Sequence, residues 1–320
     1  MSITPPVLAL GVKVPNHTFS RPSSTSGAAQ GWTKSGSALT GSAVYDDSPD
    51  RGHARTQLYT LAGSGAQSGT VLSSPAPPGK LCAHVATYIT GFALIKTTGL
   101  SATSTFKLNI LWYNSSGSQV GTTQTLFTRT SNSTDWTVIQ STVLTSTNPA
   151  SAADHFRLQL AFDRSSGSTA ITVQIAFACV GTYTTAAGYY TATNNLSIGS
   201  GIARSTVRNV QVDPSGVMHS VDRDRWVQGH SVRLYWDFVT DTERKVFDYL
   251  TRMSVGRVWD NSAQNPNGGN WPLIVVPNLT GMPLVFMGEL AGEEFPTELA
   301  QSWWADPPNW RIALALREVV

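Results

Sequence analysis

Between residues 31 and 184 the chain alternates short β-branched and aromatic runs with clusters of Ser, Thr, Gly and Asn. Clear examples are FKLNILWYN at 106–114 and HFRLQLAFD at 155–163. These runs lack the 3.6-residue period of a helix, and their spacing and turn chemistry are typical of strands that bury one face. The pattern therefore predicts a β-sandwich. The stretch NSSGSQVG, which joins two of the runs, predicts a hairpin in which Gly117 has a positive φ.

Charge divides the chain into two parts. Residues 1–190 contain eleven Lys/Arg, six Asp and no Glu, whereas residues 191–320 contain eleven Lys/Arg and fourteen Asp/Glu. Seven of the ten tryptophans also lie in the second part. We therefore predict a mainly β protein with four segments: an N-terminal arm and first strand at 1–30, a sandwich at 14–184, a linker at 185–205 and a smaller α+β domain at 206–320.

One helix is well marked in the second part, at residues 239–256. Thr240 and Glu243 have the spacing of a capping box, in which a hydroxyl and a carboxylate satisfy each other's backbone N–H groups. Four apolar residues then fall on one helical face, and Gly256 is a suitable end. Those four residues are Val246, Phe247, Leu250 and Met253.

The last run, WRIALALREV at 310–319, has a period of two. Its apolar face carries Ile312 and Leu314, and its other face carries Arg311 and Arg317. A long alternating strand at a chain end is an edge that must be paired or covered. Pairing with a neighbouring subunit in a ring and packing inside the monomer both meet that need.

The first module resembles the jelly-roll carbohydrate-binding modules that are attached to glycoside hydrolases and occur in phage fibres. The resemblance rests on the order of these stretches: VPNHTF (14–19), QGWTKSG (30–36), FKLNILWYNSSGSQVG (106–121), the region 131–162 and ITVQIAFACVGTY (171–183). It covers about half of the chain and implies a jelly-roll sandwich that binds sugar. The family often holds a structural calcium through acidic residues, where this chain has Ser20 and the run 175–177.

Sugar binding needs aromatic faces and a few orienting polar groups. The carbohydrate-binding candidates are Tyr45, Tyr59, Tyr88 and Tyr113. Trp32, Trp112 and Trp136 are assigned to the core. We predict no cofactor and no metal. The loop with Asp46, Asp47 and Asp50 is interpreted as a solvated turn, with a weak calcium site as the alternative.

The second module, read as strand, capped helix, Gly-rich loop, hairpin and closing strand, looks like the β–helix–β block of tail-tube and tail-tip proteins of long-tailed bacteriophages. That resemblance implies assembly into rings. Trp and Arg are enriched at interfaces, although many indoles can also fill the domain's own core. The candidate subunit-interface residues are Trp226, Trp236, Trp259, Trp271, Trp303, Trp304, Arg311 and Arg317.

Motifs for common chemistry are missing from the sequence. It has no Gly-x-Ser-x-Gly elbow, no His-x-x-x-His pair and no Cys-x-x-Cys. Cys82 and Cys179 are interpreted as two buried thiols rather than a disulfide. The net charge of +2 does not by itself indicate binding to nucleic acid. We expect no secretory leader, and no apolar run approaches the ~18 residues of a membrane span.

These patterns lead to one main expectation and two alternatives. The main expectation is a non-enzymatic virion protein of a long-tailed phage, made in the bacterial cytoplasm. It sits at the tail tip or baseplate, contacts its own copies and other tail proteins, and binds host-surface polysaccharide. The first alternative is the binding module of a polysaccharide-degrading enzyme whose second domain is catalytic. The second is a purely structural or decorating virion protein.

Overall fold

The computed structural model describes residues 5–12, 14–19, 21, 27–45, 55–75, 88–141, 145–146, 153, 155–183, 189–197, 200–204, 208–212, 218–222, 230–254, 272–278, 284–290, 297–299 and 310–318. These residues form 21 strands and one helix. In chain order the elements are β1 Val7–Val12, β2 Trp32–Ser35, β3 Leu39–Tyr45, β4 Arg55–Leu61, β5 Gln67–Ser73, β6 Tyr88–Thr98, β7 Ser104–Tyr113, β8 Gln119–Arg129, β9 Ser133–Gln140, β10 Thr145–Ser146, β11 His155–Arg164, β12 Ile171–Thr182, β13 Tyr190–Thr191, β14 Gly201–Arg204, β15 Arg208–Val212, β16 Met218–Asp222, β17 His230–Val239, α1 Asp241–Ser254, β18 Leu273–Val276, β19 Phe286–Leu290, β20 Thr297–Leu299 and β21 Trp310–Glu318.

The predicted sandwich is confirmed. One layer is a five-stranded antiparallel sheet in the order β2-β5-β11-β7-β8. The other layer is the part of a 14-stranded sheet that contains β3, β4, β12, β6 and β9. Apolar residues of both layers, including Trp32 and Trp112, form the core between them. The hairpin after β7 also occurs as predicted, with Gly117 at a φ of 80°.

The first strand joins the sandwich to the C-terminal part of the chain. β1 pairs with β12 on one side and with β18 on the other, so a single sheet runs through both parts. The two faces of β1 pack into different hydrophobic clusters. Leu8 and Leu10 pack into the cluster beneath α1, whereas Val7 and Ala9 pack into a cluster with Trp136 on the opposite face. A short, wholly apolar run is what a strand buried on both faces requires.

The last strand, β21, is internal. It pairs with β17 along one side and with β19 and β20 along the other. The predicted alternation is confirmed, because Ile312 and Leu314 are buried while Arg311 and Arg317 are exposed. Of the two ways to cover this strand, the chain uses packing within the monomer: among the described residues, β17 lies along one edge of β21, and β19 and β20 cover the two ends of the other edge.

The helix begins with the predicted capping box. The Glu243 N–H donates to Thr240 Oγ1 at 3.3 Å, and the Thr240 N–H donates to Glu243 Oε2 at 3.4 Å. The same carboxylate also accepts hydrogen bonds from the Tyr190 hydroxyl at 3.0 Å and the Thr193 N–H at 2.9 Å. Glu243 therefore holds the segment after the sandwich against the start of α1, and that predicted linker contributes β13 and β14 to the large sheet.

Cys179 is buried, as predicted. Its neighbours in the cluster on the outer face of the large sheet include Phe92 and Phe177. Cys82 lies outside the described residues.

Candidate functional site

Polar side chains lie along the middle of the outer face of the five-stranded sheet. On β7 and β11 every second residue is apolar and points into the sandwich core, so the alternate residues point outward. The strand register places six outward residues in three cross-strand pairs: Asn109 with Gln159, Leu111 with Arg157, and Tyr113 with His155. We call these six residues the outer-sheet site.

An amide pair forms the centre of the outer-sheet site. Asn109 Nδ2 donates to Gln159 Oε1 at 2.9 Å. Asn109 Oδ1 is buried and accepts no hydrogen bond from the described residues. Gln159 is half-buried, so its amide nitrogen can still donate to a ligand. The amide nitrogen of Gln159 is therefore the group of this pair that a ligand hydroxyl can reach, and such a hydroxyl can accept its hydrogen bond.

Flat side chains form one end of the site. The Tyr113 and His155 rings stack with centroids 5.5 Å apart and an interplanar angle of 11°. The Arg157 guanidinium lies 4.9 Å from the centre of the Tyr113 ring. Arg157 Nε is buried and has no hydrogen-bond acceptor among the described residues. These groups hold one another in place.

An ion pair borders the other end of the site. Lys107 Nζ lies 2.9 Å from Asp163 Oδ2, and the two side chains are 34% and 46% exposed. Both residues point to the same face as Asn109, by the alternation of β7 and β11. A pair this exposed contributes little to stability, but it adds donors and acceptors beside the amides.

The four predicted sugar-binding tyrosines do not share a surface. Tyr113 lies in the outer-sheet site, while Tyr88 is half-buried at the start of β6 in the other layer. Tyr45 ends β3, and its side chain lies outside the described residues.

The prediction for Tyr59 is wrong. Its side chain is fully buried in β4 beside Phe162, and its hydroxyl accepts a hydrogen bond from the Ala29 N–H at 3.4 Å. Burial raises the pKa of this hydroxyl. No ring face is left on which a sugar could stack.

The described residues contain no group of three or more His, Cys, Asp or Glu that could hold a metal ion. The weak calcium candidates Asp46, Asp47 and Asp50 lie outside the described residues. Within the described part of the chain, no helix is both long and apolar enough to cross a membrane.

One of the six predicted interface tryptophans, Trp236, lies within the described residues. Trp226, Trp259, Trp271, Trp303 and Trp304 lie outside the described residues. The prediction for Trp236 is wrong: it is fully buried in the C-terminal core, with its ring centre 4.8 Å from that of Phe247 on α1. Arg311 and Arg317 are exposed.

Sequence reasoning missed His155, Arg157 and Gln159. Their signal is the alternation of HFRLQLAF, in which polar residues occupy every second position. The same alternation places Asn109 and Tyr113 outward on β7. Only the register of β7 against β11 shows that the two sets are adjacent, because 50 residues separate Asn109 from Gln159 along the chain.

No protein-family model and no curated protein matches the chain. Among solved structures it is similar to the enzymatically active domain of bacteriophage CBA120 tailspike protein 4, with 14% identity, a TM-score of 0.33, and coverage of 48% of this chain and 19% of the other. An arabinose-bound α-L-arabinofuranosidase gives 14% identity and a TM-score of 0.38, with 57% of this chain and 28% of the other covered. The C-terminal family 22 carbohydrate-binding module of Clostridium thermocellum xylanase 10B gives 15% identity and a TM-score of 0.33, with 52% and 94% covered. The chain thus spans less than a third of the first two proteins, and these low TM-scores define no family for it.

Proposed function

We propose that the protein binds glycans through the outer-sheet site and does not act on them catalytically. The observation that supports this most strongly is the Asn109–Gln159 amide pair, in which the half-buried Gln159 keeps an accessible amide nitrogen, next to the planar groups of Tyr113 and Arg157. Sugar recognition uses flat side chains against C–H faces and a few fixed polar groups that orient hydroxyls. The outer-sheet site offers both on one rigid sheet.

In this proposal the protein belongs to the tail tip or baseplate of a long-tailed phage, and its ligand is a polysaccharide on the host surface. The support is the order of strand, capped helix and closing strand in residues 231–319, which resembles tail proteins. Single lectin-like sites are weak, and several copies held in one particle raise the effective concentration of each. Because β21 is internal, copies would meet through side-chain faces rather than by pairing of the last strand.

Two alternatives differ in what they require. If the C-terminal part were a glycosidase, two carboxylates would flank the bond that is cleaved, about 5–9.5 Å apart. If the protein only decorated the particle, the outer-sheet site would bind no glycan. Incubation of the chain with the polysaccharides it binds, followed by an assay for new reducing ends, tests the first of these.

A glycan array tests the proposal, with wild type, Gln159→Leu and Gln140→Leu compared on the same slides. Gln140 is a half-buried glutamine on β9 in the other layer, so its substitution is a chemically matched control. Each neutral hydrogen bond contributes about 0.5–1.5 kcal/mol, which predicts binding about 2- to 13-fold weaker for Gln159→Leu. Gln140→Leu should bind like wild type. No glycan bound by wild type, or equal binding by all three proteins, would exclude the outer-sheet site as the glycan site.

A further inference from the structure

Phe238 departs from the alternation of its own strand. On β17, Val232, Leu234 and Trp236 point into the core beneath α1, so simple alternation would bury residue 238 as well. Instead the register shifts: Trp236 pairs with Ile312 and Val239 pairs with Trp310. Val239 takes the buried place, and Phe238 is turned outward with 55% of its surface exposed. Among the described residues, no other large hydrophobic side chain is exposed.

The outward turn places Phe238 in an unfavourable backbone conformation. Its φ is 59°, in the left-handed region that glycine adopts freely and that bulky L-residues rarely occupy. Bulges of this kind re-aim side chains and are over-represented near functional sites. Glycine or asparagine would adopt this φ at a lower backbone cost, so an exposed aromatic ring here points to a function for the side chain.

The segment that follows the sandwich holds this bulge in place. Asn194 Nδ2 donates to the carbonyl of Phe238 at 3.0 Å and to that of Asp237 at 3.3 Å. The Asp237 N–H donates to Ser197 Oγ at 2.8 Å. Because backbone groups on both bulge residues are fixed, the ring is presented by a pre-organised support rather than by a loose turn.

Polar groups beside the ring offer both donors and acceptors. Arg311 Nε lies 3.1 Å from Asp237 Oδ1, and these side chains are 45% and 35% exposed. The Arg311 guanidinium also lies 5.6 Å from the centre of the Tyr235 ring, which limits its movement. Arg311 is the residue opposite the bulge in the strand register, so the ion pair and Phe238 occupy the same part of the sheet.

We infer that Phe238, Asp237 and Arg311 form a second glycan site that takes one neutral sugar residue; this rests on the proposed glycan-binding function. The C–H face of the sugar stacks on the Phe238 ring, and neighbouring hydroxyls bond to the guanidinium and the carboxylate. The charges of Arg311 and Asp237 balance, so the site selects for no anionic group. One ring and one ion pair are also far smaller than the roughly 1,000 Å² of a specific protein interface.

Two substitutions of Phe238 distinguish loss of the aromatic ring from loss of folding. Phe238→Gly removes the ring and suits a positive φ, so the protein should fold at least as well as wild type. Phe238→Trp keeps an aromatic face. On an array of neutral hexose, N-acetylhexosamine and uronic acid oligosaccharides, we expect Phe238→Gly to bind its neutral oligosaccharides about 2- to 13-fold more weakly and Phe238→Trp to retain them. Binding at 50 mM and 300 mM salt should be equal.

Gln159→Leu, tested on the same array, distinguishes this inference from the function on which it rests. If Phe238→Gly binds like wild type while Gln159→Leu loses binding, the second site is refuted and the proposed function stands. If Phe238→Gly loses binding and Gln159→Leu does not, the second site stands and the outer-sheet site fails. A Phe238→Gly protein with unchanged glycan binding but a smaller mass in solution would show a subunit contact instead and would overturn the inference.

Discussion

Replacing Glu243 with alanine should release the segment that links the sandwich to α1. The carboxylate accepts two short hydrogen bonds, from the Tyr190 hydroxyl and the Thr193 N–H, and two long ones from Thr240. At roughly 1 kcal/mol for each short bond and half of that for each long one, the loss is about 3 kcal/mol of unfolding free energy. A loss of this size is large for a substitution that leaves no apolar cavity.

Two measurements on the full chain test this value. Urea denaturation followed by circular dichroism should show a lower midpoint for Glu243→Ala, and hydrogen exchange should be faster in residues 189–197. Asp248→Ala, which removes an exposed i,i+4 pair with Arg252 on the same helix, is the control and should cost less than about 0.5 kcal/mol. If Glu243→Ala and Asp248→Ala shift the midpoint equally and exchange in 189–197 is unchanged, the hydrogen bonds of Glu243 do not stabilise the protein.

Three further predictions concern Glu243, Gly41 and Arg164. Burial raises the pKa of Glu243, but the hydrogen bonds from Thr193, Tyr190 and Thr240 outweigh burial and hold that pKa below its ordinary value. The ionised carboxylate therefore stabilises the folded protein fully above the unfolded pKa of about 4.3, and this stabilisation is lost as the pH falls through the folded pKa. Urea midpoints measured from pH 6 to pH 3 should fall more steeply for wild type than for Glu243→Gln, and parallel curves would contradict the assignment. Gly41→Ala should abolish soluble expression, because a Cβ there would lie 1.6 Å from the Gly27 carbonyl oxygen, and a wild-type melting temperature would contradict that close approach. Arg164→Lys should cost about 2–3 kcal/mol in thermal denaturation, because the buried guanidinium donates to the carbonyls of residues 62, 63, 65 and 169 and an ammonium group cannot reach them all; a loss below about 0.5 kcal/mol would show that water replaces those bonds.

Local patterns in the sequence predicted the elements whose determinants are close together. The capping box of Thr240 and Glu243 marks the start of α1, and the alternation around Ile312 and Leu314 gives the faces of β21. The Gly117 hairpin belongs to the same group, since a tight turn needs only a few adjacent residues. In each case the physical requirement lies within about ten residues.

The candidate sites depend on contacts between distant segments, and sequence patterns did not show them. Asn109 meets Gln159 only through the register of β7 with β11, and Tyr59 is buried because β4 is an inner strand of the sandwich. The bulge at Phe238 reverses the direction that alternation gives, because Asn194 fixes its backbone from another segment. These outcomes follow from tertiary packing, which overrides a two-residue period.

Hydroxyl-radical footprinting of the full chain tests the central claim most directly, with and without saturating amounts of the oligosaccharide that gives the strongest array signal. We predict protection of Tyr113 and His155 from oxidation, while Tyr88 in the other layer keeps its rate. Unchanged oxidation of Tyr113 and His155 in the presence of bound oligosaccharide would show that the outer-sheet site is not where glycans bind.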